Sequence, residues 1–297
     1  MIKPALPSTK EMILHALVQN KLRGRKLPRG RPSKLPYPDR AELQFRQLLL
    51  SELRETKKIV NEFLLNKIPY VIAEYSRAHS IDSWGDMLSG YIEDMRHVVE
   101  MRTVNGAKVL GIANSISDIN ANGWALRLKT TFGISIEPSE AWLKSDLKAF
   151  AEQNAQRIKD LSTEYADAIA RAAHDNVMKG NSHRELIQFV KENVDETYKN
   201  RAKVIARDQT STFNAKLNEF RQKESGIERY IWRTVQDERV RDTHRDELDG
   251  EVFYWNDPPS EGHPGEPIQC RCWPDPIFDE LLTEADKLAL EAAGEDF

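Results

Sequence analysis

The sequence predicts a mainly α-helical protein with a small α+β lobe at its C-terminal end, an elongated helical body and a basic N-terminal arm. Three observations predict this. Apolar residues recur at helical spacing from residue 41 to about residue 224, interleaved with charge. A β-type alternation appears only after Gly226, in Ile227 to Val235, and loop-rich sequence follows it. Residues 1–40 hold ten Lys/Arg and two acids, a charge of +8, whereas residues 41–297 carry −12. The chain divides accordingly into a basic extended arm (1–40), a helical body (41–197) and a C-terminal module (198–297).

Taken in order, Glu11 to Val18 can form a short helix. Lys21 to Pro38 then holds two Gly and four Pro among dense Lys/Arg. Proline breaks helices and removes backbone donors, so this stretch reads as extended. From Asp39 the residues Leu43, Leu50, Leu53, Val60, Phe63 and Leu64 mark a helix running to about Asn66. Pro69 kinks or restarts it, and Val71 to His79 continues. Asp82 or Ser83 caps the next helix, which has Met87, Tyr91, Met95 and Val98 on one face. Asn105 to Phe132 reads as helical with breaks at its glycines, Gly106, Gly111 and Gly123.

Glu137-Pro138-Ser139 opens a further helix. Ala141 to Met178 continues it, with an interruption expected near Leu161-Ser162-Thr163. Gly180 supplies a C-terminal stop, and Ser182-His183-Arg184-Glu185 is a capping-box pattern. Tyr198 to Glu224 reads as a long helix ended by Ser225-Gly226. Ile227 onward reads as a strand. Asp249-Gly250 signals a turn before a second strand, Glu251 to Trp255. Asp279 to Ala293 closes the chain as an amphipathic helix.

No apolar run approaches the roughly 20 residues that span a membrane. The start lacks a secretory apolar core, so a soluble protein that remains where it is made is expected. Both cysteines, Cys270 and Cys272, are spaced C-x-C. A bridge across one residue is strained, which argues against a disulfide framework and for a reducing compartment.

Four groups of residues carry chemistry. His244, Cys270 and Cys272 are Zn²⁺ ligand types, with His263 or an Asp as the expected fourth ligand. The alternative is that the cysteines are reduced and structural and the histidines make hydrogen bonds. His244 also lies among the carboxylates of Asp237 to Asp249, the composition of a metal-dependent nuclease or hydrolase. A solvated turn explains that run equally simply. The arm residues Lys21, Arg23, Arg25, Lys26, Arg29, Arg31 and Lys34 can neutralise phosphates without reading base sequence; the alternative is a solvated arm or one that docks on an acidic protein groove. In Arg201 to Asn214 the polar positions Arg207, Gln209 and Thr210 could line a site, but the stretch reads more simply as a packed helix face with surface residues.

Three ordered motifs resemble the phage Mu protein F-like family of minor head, or head morphogenesis, proteins. They are the helix R-A-K-V-I-A-R-D-Q-T, then W-R-T-V-Q-D-E-R-V-R-D-T-H-R-D-E-L-D-G, then P-G-E-P-I-Q-C-R-C. The resemblance spans residues 198–278 and departs at Asp208-Gln209, where the family often has Thr-Glu. It implies a low-copy virion protein rather than an enzyme, assembled in the bacterial host cytoplasm and located in the capsid interior. The partners implied are the portal protein, the major capsid or scaffolding protein and genomic dsDNA, with no membrane in the assembled head. Roles in genome packaging and ejection follow from the same resemblance.

Overall fold

Residues 7–28, 33–77, 82–136 and 140–294 are described by the computed structural model. Ser8 and Glu11 exchange hydrogen bonds as a capping box and start α1 (Thr9–Leu22). This helix is longer than the sequence pattern indicates and takes Lys21 into its last turn. The helices α2 (Asp39–Phe63), α3 (Ile68–Arg77), α4 (Asp82–Glu100) and α5 (Gly106–Phe132) follow. A 3-10 turn at Leu65–Lys67 sits before Pro69, where the restart was expected. The helices α6 (Leu143–Met178) and α7 (His183–Phe189), a π turn (Val190–Asp195) and α8 (Glu196–Glu224) complete the helical part. The strands β1 (Arg229–Arg233), β2 (Val252–Tyr254) and β3 (Trp273–Pro276) and the helix α9 (Asp279–Ala293) end the chain.

Two expected interruptions are absent. α5 runs unbroken through Gly111 and Gly123, and α6 runs unbroken through Leu161-Ser162-Thr163. At Gly123 the missing side chain has a use. A Cβ there would lie 2.1 Å from the Pro36 ring, so glycine admits the segment after α1. Both stops behave as read: Gly180 and Gly226 take φ of 69° and 76°. The expected helix start at Glu137–Ser139, His79 at the end of its helix, and Arg29 and Arg31 lie outside the described residues.

The chain forms two compact units whose limits differ from the division at residues 40 and 197. One comprises Met1–Ala41, Ala113–Leu147 and Asp208–Phe297, and the other Glu42–Ile112 and Lys148–Arg207. In the second unit Phe45, Leu49, Val60, Leu65, Ile68 and Met95 are fully buried, and Phe45 packs on Phe150 at 6.2 Å between ring centroids.

In the first unit α1 lies along α9. Ile13, Leu14 and Leu17 join Leu281, Ala285 and Phe278 in a core that also holds Trp124, Leu128 and Phe132 of α5. Lys10 pairs with Glu284 at 2.7 Å and Lys21 with Asp286. The basic segment is therefore not a free arm. Leu35 is buried in that same core, and Arg127 donates to the Ser33 carbonyl at 2.7 Å. One apolar residue among many charges is enough to dock it.

The sheet has the order β2-β1-β3 and is antiparallel throughout, with Ile231 opposite Val252 and Asp275. The C-terminal turns of α8 fix its position. Gln222 donates to the Pro274 carbonyl at 3.1 Å and accepts from the Trp255 indole at 3.2 Å. Its neighbour Arg221 points the other way, to both oxygens of Glu140 at 2.6 and 2.9 Å and to Asn120 at 2.5 Å. The Arg221 side chain is only 2% exposed.

Arg221→Leu leaves the Glu140 carboxylate without its charge partner. It is expected to lower the unfolding free energy by about 3 kcal/mol. Urea titration measures this, and a loss well below about 1 kcal/mol would show that the network carries little stability.

Candidate metal centre

The segment Cys270-Arg271-Cys272 leads directly into β3. Burial alternates along it, with Cys270 and Cys272 buried and Arg271 partly exposed. Arg271 accordingly turns to Asp237, with which it forms an ion pair. Both thiols turn inward, to a core formed with Tyr230, Trp232 and Trp255. Trp232 in turn meets the ring of His244 edge-on, at 5.2 Å and 76°. His244 is delivered by a π turn, Thr243–Leu248, in the connection from β1 to β2, and the expected turn at Asp249-Gly250 follows it, with Gly250 at φ of 95°.

His244, Cys270 and Cys272 thus converge with all three donor atoms within 4.8 Å of one another. His244 Nδ1 lies 3.6 Å from Cys270 Sγ and 3.5 Å from Cys272 Sγ. Zinc binds sulfur at about 2.3 Å and imidazole nitrogen at about 2.0–2.1 Å. At a tetrahedral angle those bonds separate nitrogen and sulfur by about 3.6 Å. The donor set and its spacing are therefore compatible with zinc.

The surroundings also suit a ligand histidine. His244 Nε2 lies 3.0 Å from Glu261 Oε2. A carboxylate on Nε2 fixes the proton there and leaves the Nδ1 lone pair facing the thiols. The backbone before the cysteines is held as well. Ser211 on α8 contacts the carbonyl oxygens of Gly265 and Cys270, the first at 3.0 Å. Arg241 donates to the Ile268 carbonyl at 2.7 Å. Gly265 has φ of 95°, and a Cβ there would lie 3.0 Å from that of Ala215, so the loop can approach α8 this closely only with glycine.

Electrostatics point the same way. The Cys272 thiol beside Cys270, and then His244, hold Cys270 well below the usual thiol range despite its burial. Cys270 in turn pushes Cys272 up, aided by burial. Cys270, with Glu261 behind it, raises His244 against the opposing effect of burial. Two thiols and an imidazole, one thiol lowered and the other raised, form a donor set compatible with a divalent cation.

His263 does not join this group. Its Nδ1 lies 2.8 Å from the Tyr230 hydroxyl and its ring packs on Trp255 at 4.8 Å, so among the described residues the cluster has three protein donors. Of the residues read as phosphate-binding, Arg23, Arg25, Lys26 and Lys34 are exposed, and Lys21 is engaged by Asp286. Glu261 and Ser211 carried no motif signal. Only the fold brings them to the cysteines, over 9 to 59 residues of sequence.

Residues 167–273 match the family model described as Phage Mu protein F like protein. An uncharacterized protein of Haemophilus influenzae is 33% identical over 182 residues, which is 59% of this chain and 38% of that protein. The chain thus matches well under half of that relative's length. No solved structure matches it.

His263 yields a pH prediction. Burial holds it below its ordinary value of 6.5. The unfolded chain then binds the proton more tightly than the fold. Its contribution is complete above 6.5 and is lost as the pH falls from there through the folded value. Replacing His263 by Gln should flatten the decline in thermal stability on the acid side of neutrality. An unchanged slope would assign that decline to other groups.

Proposed function

We propose, from the membership of residues 167–273 in the phage Mu protein F-like family, that this is a structural protein of a phage head, acting in head morphogenesis as a minor capsid component. The match over residues 167–273 carries the reading. It includes β1, β2, the His244 turn and the Cys270-Arg271-Cys272 segment. The protein sits inside the head beside the portal, meets the major capsid or scaffolding protein, and contacts the genome during packaging and ejection. It is built in the host cytoplasm. Exposed Arg23, Arg25, Lys26 and Lys34 support contact with a polyanion. Among the described residues no helix is long and apolar enough to cross a membrane. The role assigned is non-enzymatic. His244 has both ring nitrogens engaged, one by Glu261 and one by the thiols.

The cluster holds a zinc ion that fastens the lobe. His244, Cys270 and Cys272 supply the donors, and the ion links the β1–β2 connection to the entry of β3. A lobe of three short strands gains folding free energy directly from such a centre.

Localisation tests the main reading. Protein mapped by electron microscopy of intact particles should appear on the inner side of the head; its absence from purified particles would refute the role. Reversing Arg23, Arg25, Lys26 and Lys34 to Glu should weaken DNA retention at low salt. It should also lower the log–log salt slope by about 3 to 4 if each contacts a phosphate. Metal analysis should find about one zinc per chain. Glu261→Ala should weaken zinc by about 10–100-fold in chelator competition, with Cys270→Ser as the reference loss. Metal-free wild-type protein would remove the zinc assignment and leave the virion assignment standing.

A further inference from the structure

The unit made of Glu42–Ile112 and Lys148–Arg207 contains a cavity of about 320 Å³. Nothing in the head-assembly role uses it. Leu50 and Leu53 of α2 and the ring of Tyr165 of α6 form apolar wall. Leu53 and Tyr165 are buried, at 6% and 4% exposure. The methylene stems of Arg54, Lys57 and Lys199 complete it. The volume lies in the range of small-molecule sites, and apolar walls with a few placed polar groups are their usual chemistry.

The polar end is built by the π turn before α8. That turn places Asp195 where Tyr165 donates to it at 2.5 Å and Lys57 approaches it at 3.3 Å. π turns are rare and recur at functional sites. Lys57 and Asp195 are roughly a quarter and a fifth exposed, so this pair forms part of the wall and is not a surface contact. Asp195 pairs with Lys57, so the lining residues hold three cations against one carboxylate. Arg54 donates through Nε to the Leu50 carbonyl at 3.2 Å, and Lys199 makes a long, solvent-exposed pair with Glu196 at 3.7 Å, which a ligand carboxylate can displace. An apolar chamber with surplus positive charge selects an apolar body that ends in an anion.

We propose that this cavity is a binding site for a small amphipathic acid, an aromatic or branched aliphatic group bearing a carboxylate. Its body lies against Leu50, Leu53 and Tyr165, and its carboxylate meets Arg54 and Lys199. The Lys57–Asp195–Tyr165 group fixes the wall and keeps water from the inner end. The site is independent of the zinc centre and of the virion assignment.

Calorimetric titration of the full chain with 2-naphthoate, 2-naphthylmethanol and 2-naphthylmethylammonium separates body from charge. Naphthoate should bind most tightly and the ammonium least, with about tenfold between each end of the series and the alcohol. Naphthoate affinity should fall as salt rises while that of the alcohol holds. Arg54→Glu with Lys199→Glu, both at exposed positions, should cost naphthoate about tenfold or more and leave the unfolding temperature unchanged. Equal binding of the three probes, naphthoate binding that survives the reversal, or no binding at millimolar concentration would each overturn the proposal. The salt series on wild-type protein decides the matter alone if the variant folds poorly.

Discussion

Arg221 and Gln222 are adjacent on α8 and face opposite ways, and the unit that carries the sheet depends on this. The guanidinium is buried against Glu140 and Asn120, while the Gln222 amide satisfies a β3 carbonyl and the Trp255 indole. A buried guanidinium is tolerable only when its donors are met, and a sheet of three short strands keeps its place only when something rigid holds it. One helical turn does both. Ser211, almost three turns earlier on the same helix, adds its contact to the carbonyls that precede and bear Cys270. α8 is therefore the reference frame from which both cysteines are positioned.

The metal-type cluster illustrates how small preferences add up. Strand alternation turns two thiols inward, an edge-on tryptophan steadies the imidazole, and Glu261 selects the tautomer. None of these contacts is strong alone. Together they gather two sulfurs and one nitrogen within 4.8 Å of one another, a donor set compatible with zinc, in surroundings where uncompensated charge is costly.

Local chemistry was legible in the sequence, and long-range chemistry was not. Ser182, Gly180 and Gly226 act as cap and stops because their signals lie within one turn of the residues they serve. Glycines within α5 were read as breaks. Propensity alone cannot show that Gly123 makes room for Pro36, about ninety residues earlier. The Ser-Thr pair in α6 misled for the same reason, since burial of Leu161 and Tyr165 outweighs a weak local preference. Neither π turn has a composition that announces it. His244, Cys270 and Cys272 were identifiable by type, whereas His263, identical in type, is claimed by the Tyr230 hydroxyl. That the basic segment docks through Leu35 while Arg23, Arg25, Lys26 and Lys34 stay exposed was not legible, because Leu35 is one apolar residue in a charged stretch.

The pairing of α1 with α9 has a consequence in time. The two helices are among the most distant elements in the chain, yet their apolar faces complete one core. A ribosome delivers α1 well before α9. Until α9 emerges, Ile13, Leu14 and Leu17 have no partner helix to cover them, and the loop that must close to supply it runs from Leu22 to Asp279. Contacts of such long range form late and slowly. The sheet-bearing unit, in which three separate stretches of chain must meet, is therefore sealed only when α9 arrives, and a chain stalled before that point displays an adhesive stripe that the folded unit hides.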